Sequence, residues 1–97
     1  MDVLVRDQLN KLYQLLASHQ VNHTATISDY QQIKRIVQAL TANEQIHHEQ
    51  LSTIFPEIYH YGLQGESVPN LKEHIETNYD SIEKWMETID TARFTLE

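Results

Sequence analysis

Val5, Leu9, Leu12 and Leu16 recur at alternating steps of four and three, which stacks them on one side of a helix from about Asp2 to His19. His19 falls at the next step of that stripe, where an imidazole can complement the exposed carbonyls of a helix end. The periodicity stops from Gln20 to Ile27, so this stretch reads as a loop. Ser28 with Gln31, like Thr26 with Asp29, pairs a side-chain oxygen with a partner three residues on, the pattern that satisfies free amides at a helix start. A second helix is expected from near Ser28 to Thr41–Asn43, with Tyr30, Ile33, Val37 and Leu40 facing inward and Ile36 beside them.

Asn43 can cap a third helix carrying Ile46, Leu51, Ile54, Phe55, Ile58 and Tyr61, closed by Gly62 and Gly65. Pro56 lies inside it, lacks an amide donor and crowds the carbonyl four residues back, which predicts a kink or a break. After a loop from Gln64 to Asn70, Asn70 and Glu73 form another capping pair. Leu71, Ile75, Asn78, Ile82, Trp85, Ile89, Ala92 and Leu96 then alternate steps of four and three, a heptad seam on one long last helix. Tyr79 and Met86 widen the seam, which suits a helix covered by two neighbours. The expectation is a single all-α domain over residues 1–97, a small antiparallel bundle of four helices with the third kinked or broken near Pro56. Leu96 and Glu97 resemble a vector-encoded tail and carry no weight.

Composition supports that reading, since 40% apolar residues with two glycines and two prolines argue against both disorder and a turn-rich β-sandwich. Charge narrows the partners. Seven Lys and Arg against fourteen Asp and Glu leave a net charge of −7, and the cations are spread along the chain, so nucleic acid is a poor partner. A helix-turn-helix reading of Gln31 to Phe55 fails for the same reason, because its reading helix would display Glu44, His47, His48 and Glu49 without a Lys or Arg. The absence of cysteine removes disulfides and thiolate chemistry. No apolar run approaches the ~20 residues of a membrane span, and the N-terminus lacks a signal peptide's apolar centre. A cytoplasmic location without membrane contact is the expectation.

Six histidines raise the question of metal. Glu44 with His47 and Glu57 with His60 have the i, i+3 spacing of di-metal bundles, but at about 100° per residue the second pair is turned roughly 220° from the first. His19 and His23 form an i, i+4 pair if the first helix extends that far, and His47, with His48 and Glu49, could assist. Zinc sites normally use three or four protein ligands, so His19, His23 and His47 stay weak candidates and neither metal nor cofactor is assigned. Asn78, on an apolar seam, is expected to hydrogen-bond across the bundle and fix register. Glu73, Glu76, Asp80, Glu83, Glu87 and Asp90 form an acidic ridge opposite that seam, the solvated side of the helix. With no glycine-rich phosphate loop and no nucleophile elbow, catalysis has no visible basis.

His19-Gln20, the run from Thr26 to Leu40, Ile58-Tyr59 with Tyr61, His74-Ile75, and Trp85 before Ile89-Asp90 together resemble the YtzH-like proteins, small proteins of Bacillus and its relatives. The resemblance spans nearly the whole chain and brings no biochemical activity with it. Cysteines associated with the family's first loop are replaced here by His23 and Thr24.

The expected function is a non-enzymatic interaction module that binds another protein or itself. Apolar surface on the last helix and on the third exceeds what one small bundle can cover, which favours a homodimer with Phe55, Tyr59, Tyr61, Tyr79 and Met86 as contact residues. The alternative is a small-ligand or metal-binding bundle using histidines.

Overall fold

The computed structural model describes residues 3–43 and 48–95, and among them all regular structure is helical. Five helices follow in order: α1 (Val3–Asn22), α2 (Ile27–Ala42), α3 (Glu49–Gly65), α4 (Leu71–Thr77) and α5 (Tyr79–Thr95). The all-α class is as expected, but the fourth helix is two. The break falls at Asn78, whose backbone turns to φ −100°, ψ 11° while its side-chain amide donates to the His74 carbonyl at 2.8 Å. Asparagine competes with the helix for its own backbone acceptors, which is why it ends α4 instead of bonding across the bundle. The Asn78 carbonyl then accepts from the Ile82 amide at 2.8 Å, so α5 starts without an intervening loop.

The stripes account for the core. Val5, Leu9, Leu12 and Leu16 of α1, Tyr30, Ile33, Ile36, Val37 and Leu40 of α2, and Ile75, Ile82, Trp85, Ile89 and Ala92 of α4 and α5 are all buried in one cluster. α2 packs on α3, α1 on α5 and α2, and α3 on α5. These neighbours run antiparallel. Arg93 near the end of α5 reaches Asn10 in the first half of α1 at 2.7 Å and lies 4.4 Å over the Tyr13 ring, whereas Tyr79 at its start faces His23 beyond the end of α1.

Local chemistry sets the ends. Thr26 and Asp29 form the capping box of α2, each side chain accepting from the other's amide at 3.1 Å. α1 closes at His23, which holds a positive φ of 54° and donates its amide to the His19 carbonyl at 2.9 Å. The expected start of α3 at Asn43 is corrected: His48 caps it, its Nδ1 accepting from the Leu51 amide at 3.2 Å. Glu44, Ile46, His47, Leu96 and Glu97 lie outside the described residues.

α3 passes through Pro56 without a break. Pro56 and Ser52, whose carbonyl loses the proline's missing donor, are both exposed, so water can satisfy that carbonyl. The glycines are also more than terminators. Gly62 is inside α3 and Gly65 is its last residue, and both face α2. A Cβ on Gly62 would lie 3.2 Å from the Tyr30 carbonyl, and one on Gly65 would overlap the Tyr30 ring. Absent side chains at these two positions let α2 and α3 approach closely at the end where the polar residues of the core collect.

Candidate functional site

At that end four helices bring polar rings into the core. His19 comes from the last turns of α1, Tyr30 from the first turn of α2, Tyr61 from α3 and His74 from α4. His19 is 0% exposed and Tyr61 1%, so their polar atoms depend on each other. His19 Nδ1 lies 2.9 Å from Tyr61 Oη, and Tyr61 Oη lies 3.3 Å from Tyr30 Oη. On the other edge of the imidazole, Asp29 Oδ2 stands 3.5 Å from Nε2, an electrostatic contact too long for a good hydrogen bond. His74 stacks on Tyr61 with ring centroids 4.8 Å apart and meets the Tyr61 carbonyl through Nε2 at 3.2 Å. Trp85 packs against the same Tyr61 ring from α5.

Elementary chemistry orients these bonds. A lone pair facing a carboxylate is repelled, so the His19 proton sits on Nε2 toward Asp29 and Nδ1 is the acceptor. Tyr61 therefore donates to His19, and Tyr30 donates to Tyr61. Likewise a carbonyl only accepts, so His74 donates through Nε2. Burial lowers the His19 pKa from its usual 6.5 against the opposing pull of Asp29, and burial raises the Tyr61 and Tyr30 hydroxyls above their usual 10. Each shift favours the neutral form that this chain of donors requires.

Of the weak metal candidates, His19 is committed to Tyr61, and His23 turns its ring toward Tyr79, nearly parallel at 6.3 Å. His47 is outside the described residues. Among the described residues no group of three or more His, Asp or Glu is placed to hold a metal ion. Glu57 accepts from Trp85 Nε1 at 3.1 Å, whereas His60 pairs with Gln64 at 3.1 Å, so these two side chains serve separate contacts.

The expected contact residues divide. Tyr61 is corrected: it follows Ile54 and Ile58 on the inward stripe of α3 and is sealed in the core. Tyr79 is partly exposed beside His23, and Met86 is half-buried against the core. Phe55 and Tyr59 do share a surface. With Val37, Thr41 and Ala42 of α2 and Pro56 and Leu63 of α3, they line a mostly apolar groove of about 530 Å³. Phe55 and Val37 form its buried floor, and Leu63, 46% exposed, stands at its rim. A second stripe on α3, Pro56, Tyr59 and Leu63 at steps of three and four, builds the wall.

His74 and Asp29 escaped the sequence reading as members of the polar cluster. His74 lies one turn before Asn78, and Asp29 was visible only as a cap. The signal within reach was His19 itself, on the buried stripe of α1.

Comparison with known proteins finds matches over most of the chain. A family model described as YtzH-like protein matches residues 3–89. The "Uncharacterized protein YtzH" of Bacillus subtilis (strain 168) is 26% identical over 84 residues, covering 87% of this chain and 90% of that relative. No solved structure matches. Among the described residues no helix is long and apolar enough to cross a membrane.

Proposed function

This chain belongs to the YtzH-like protein family, and we propose that within it the chain is a non-enzymatic interaction module that self-associates through the groove between α2 and α3. The observation that carries the reading is the groove itself, apolar in floor and wall, with an exposed leucine at its edge. Contiguous apolar surface on a small helical domain tends to mark a partner site.

Charge selects the partner. Each copy carries a net charge of −7, so most approaches of one copy to another oppose carboxylates. None of the residues lining this groove is an Asp or a Glu. The ridge of Glu73, Glu76, Asp80, Glu83 and Glu87 belongs to α4 and α5, and none of its residues lines the groove. A second copy can dock there with its ridge turned to solvent, and a twofold arrangement would let the Leu63 of each copy enter the groove of the other. The seam on α5 is already covered within one chain by α1 and α3, which narrows the dimer to the third-helix side. The non-enzymatic part rests on the His19–Tyr61–Tyr30 chain being closed to solvent and spent on internal hydrogen bonds.

Light scattering on size-exclusion peaks tests the surface. Leu63→Glu puts a carboxylate at the groove rim and is expected to leave a monomer, while Val21→Glu, at a residue 74% exposed on α1, leaves assembly unchanged. Equal assembly in both variants would overturn the choice of face.

A further inference from the structure

The buried imidazole at the α1–α2 corner carries a role that self-association does not require. We infer that the buried chain of His19, Tyr61 and Tyr30, with Asp29 at its edge, forms an acid-operated latch, which holds the end of α1 against the first turn of α2 and releases that corner when the imidazole takes up a second proton.

Two geometric facts give the latch its action. Asp29 Oδ2 is shared: it accepts the Thr26 amide at 3.1 Å in the capping box and faces His19 Nε2 at 3.5 Å. A cationic imidazole draws the carboxylate toward itself and away from that amide, so protonation sets the ion pair against the cap of α2. The second fact is the direction of the donor chain. With a proton on Nδ1, His19 must donate to Tyr61, Tyr61 must turn its hydrogen to Tyr30, and Tyr30 must find another acceptor. Tyr30 is fully buried, and among the described residues Tyr61 is the partner of its hydroxyl. The reversed chain therefore strands a hydroxyl hydrogen in the core, a cost of about 1–3 kcal/mol by general experience.

The groups around His19 pull in opposing senses, and burial decides between them. Asp29 from α2 attracts the cation, burial and His74 of α4 disfavour it, Tyr30 of α2 and Tyr61 of α3 stay neutral, and among the described residues the ring that α5 adds, through Tyr61, is the non-titrating Trp85. His23, just past the end of α1, faces Tyr79 instead. Burial makes the neutral imidazole the folded form, so acid pulls toward the open corner. The shift toward opening begins as pH falls below the usual histidine value of about 6.5, grows about tenfold per pH unit, and levels off once pH passes below the lowered folded value.

Amide hydrogen exchange at pH 7.5 and 5, corrected for intrinsic rates and read on dilute protein, tests the latch. Protection at Thr26, Asp29 and Tyr30 is expected to fall tenfold or more at the lower pH, while Ile82 and Ile89 of α5 keep theirs. His19→Gln, which stays neutral, is expected to remove the difference. In the wild type the loss of protection should begin below about pH 6.5 and level off at the midpoint of the His19 ring resonance, a readout that stands even if His19→Gln fails to fold. Unchanged protection at pH 5, a loss shared equally by α5, or a loss that persists in folded His19→Gln would overturn the latch.

Discussion

Gly65 lies so close to the ring of Tyr30 that a methyl group on it would occupy the same space as the ring carbons. A buried ring cannot swing aside there, because Tyr30 also contacts the rings of His19, Tyr61 and His74. Gly65→Ala is expected to destabilise the fold by about 1–3 kcal/mol, the usual cost of overpacking. Gly62→Ala meets Lys34 Cγ at 2.9 Å and the Tyr30 carbonyl at 3.2 Å but gains about 1 kcal/mol of helix propensity, so its loss should be smaller than that of Gly65→Ala. Urea unfolding followed by circular dichroism separates the two; equal losses would show that the Tyr30 ring is not the obstacle.

Trp85 joins α5 to α3 both by burial and by its indole N–H on Glu57. Trp85→Ala should cost about 3–5 kcal/mol through lost contact and a residual cavity. Trp85→Phe keeps most of the ring and loses a hydrogen bond to a half-exposed carboxylate, so about 0.5–1.5 kcal/mol is expected. A loss below about 1 kcal/mol for Trp85→Ala would place the residue outside the core.

At alkaline pH the tyrosines set the trend. Burial raises the hydroxyl pKa of Tyr61 and Tyr30, so the unfolded chain releases these protons first. Their contribution to stability is present below about pH 10 and is lost as pH rises beyond it toward the folded values. Tyr61→Phe should therefore show a shallower fall in urea midpoint above about pH 10 than the wild type. Near neutral pH the same variant leaves His19 Nδ1 without its donor and should be less stable by about 1–3 kcal/mol. Parallel alkaline profiles for the two proteins would contradict the buried-hydroxyl assignment.

The helical stripes were legible because burial on a helix repeats every three to four residues whatever the neighbours are, and Val5 to Leu16 or Ile82 to Ala92 obey that repeat. What depended on partners distant in sequence was not. His19 has the position of a core residue and the chemistry of a helix end; Tyr61, forty-two residues away, decides for the core. Tyr61 itself stood among candidate contact residues until its stripe was set against α2 and α4. Asn78 fits a heptad position, yet the break there comes from its own amide taking the His74 carbonyl, a local competition that periodicity does not register. Gly62 and Gly65 look like stop signals until Tyr30 is placed opposite them. Of the candidate contact surface, Phe55 and Tyr59 were visible, while Leu63 and the α2 side of the groove emerged only when the two helices were packed together.

Sedimentation velocity of the unmodified protein, at concentrations from below to above ten micromolar order, tests self-association most directly. The account predicts a reversible, concentration-dependent species at about twice 11.4 kDa, abolished by Leu63→Glu. A single species near 11.4 kDa at every concentration would contradict it.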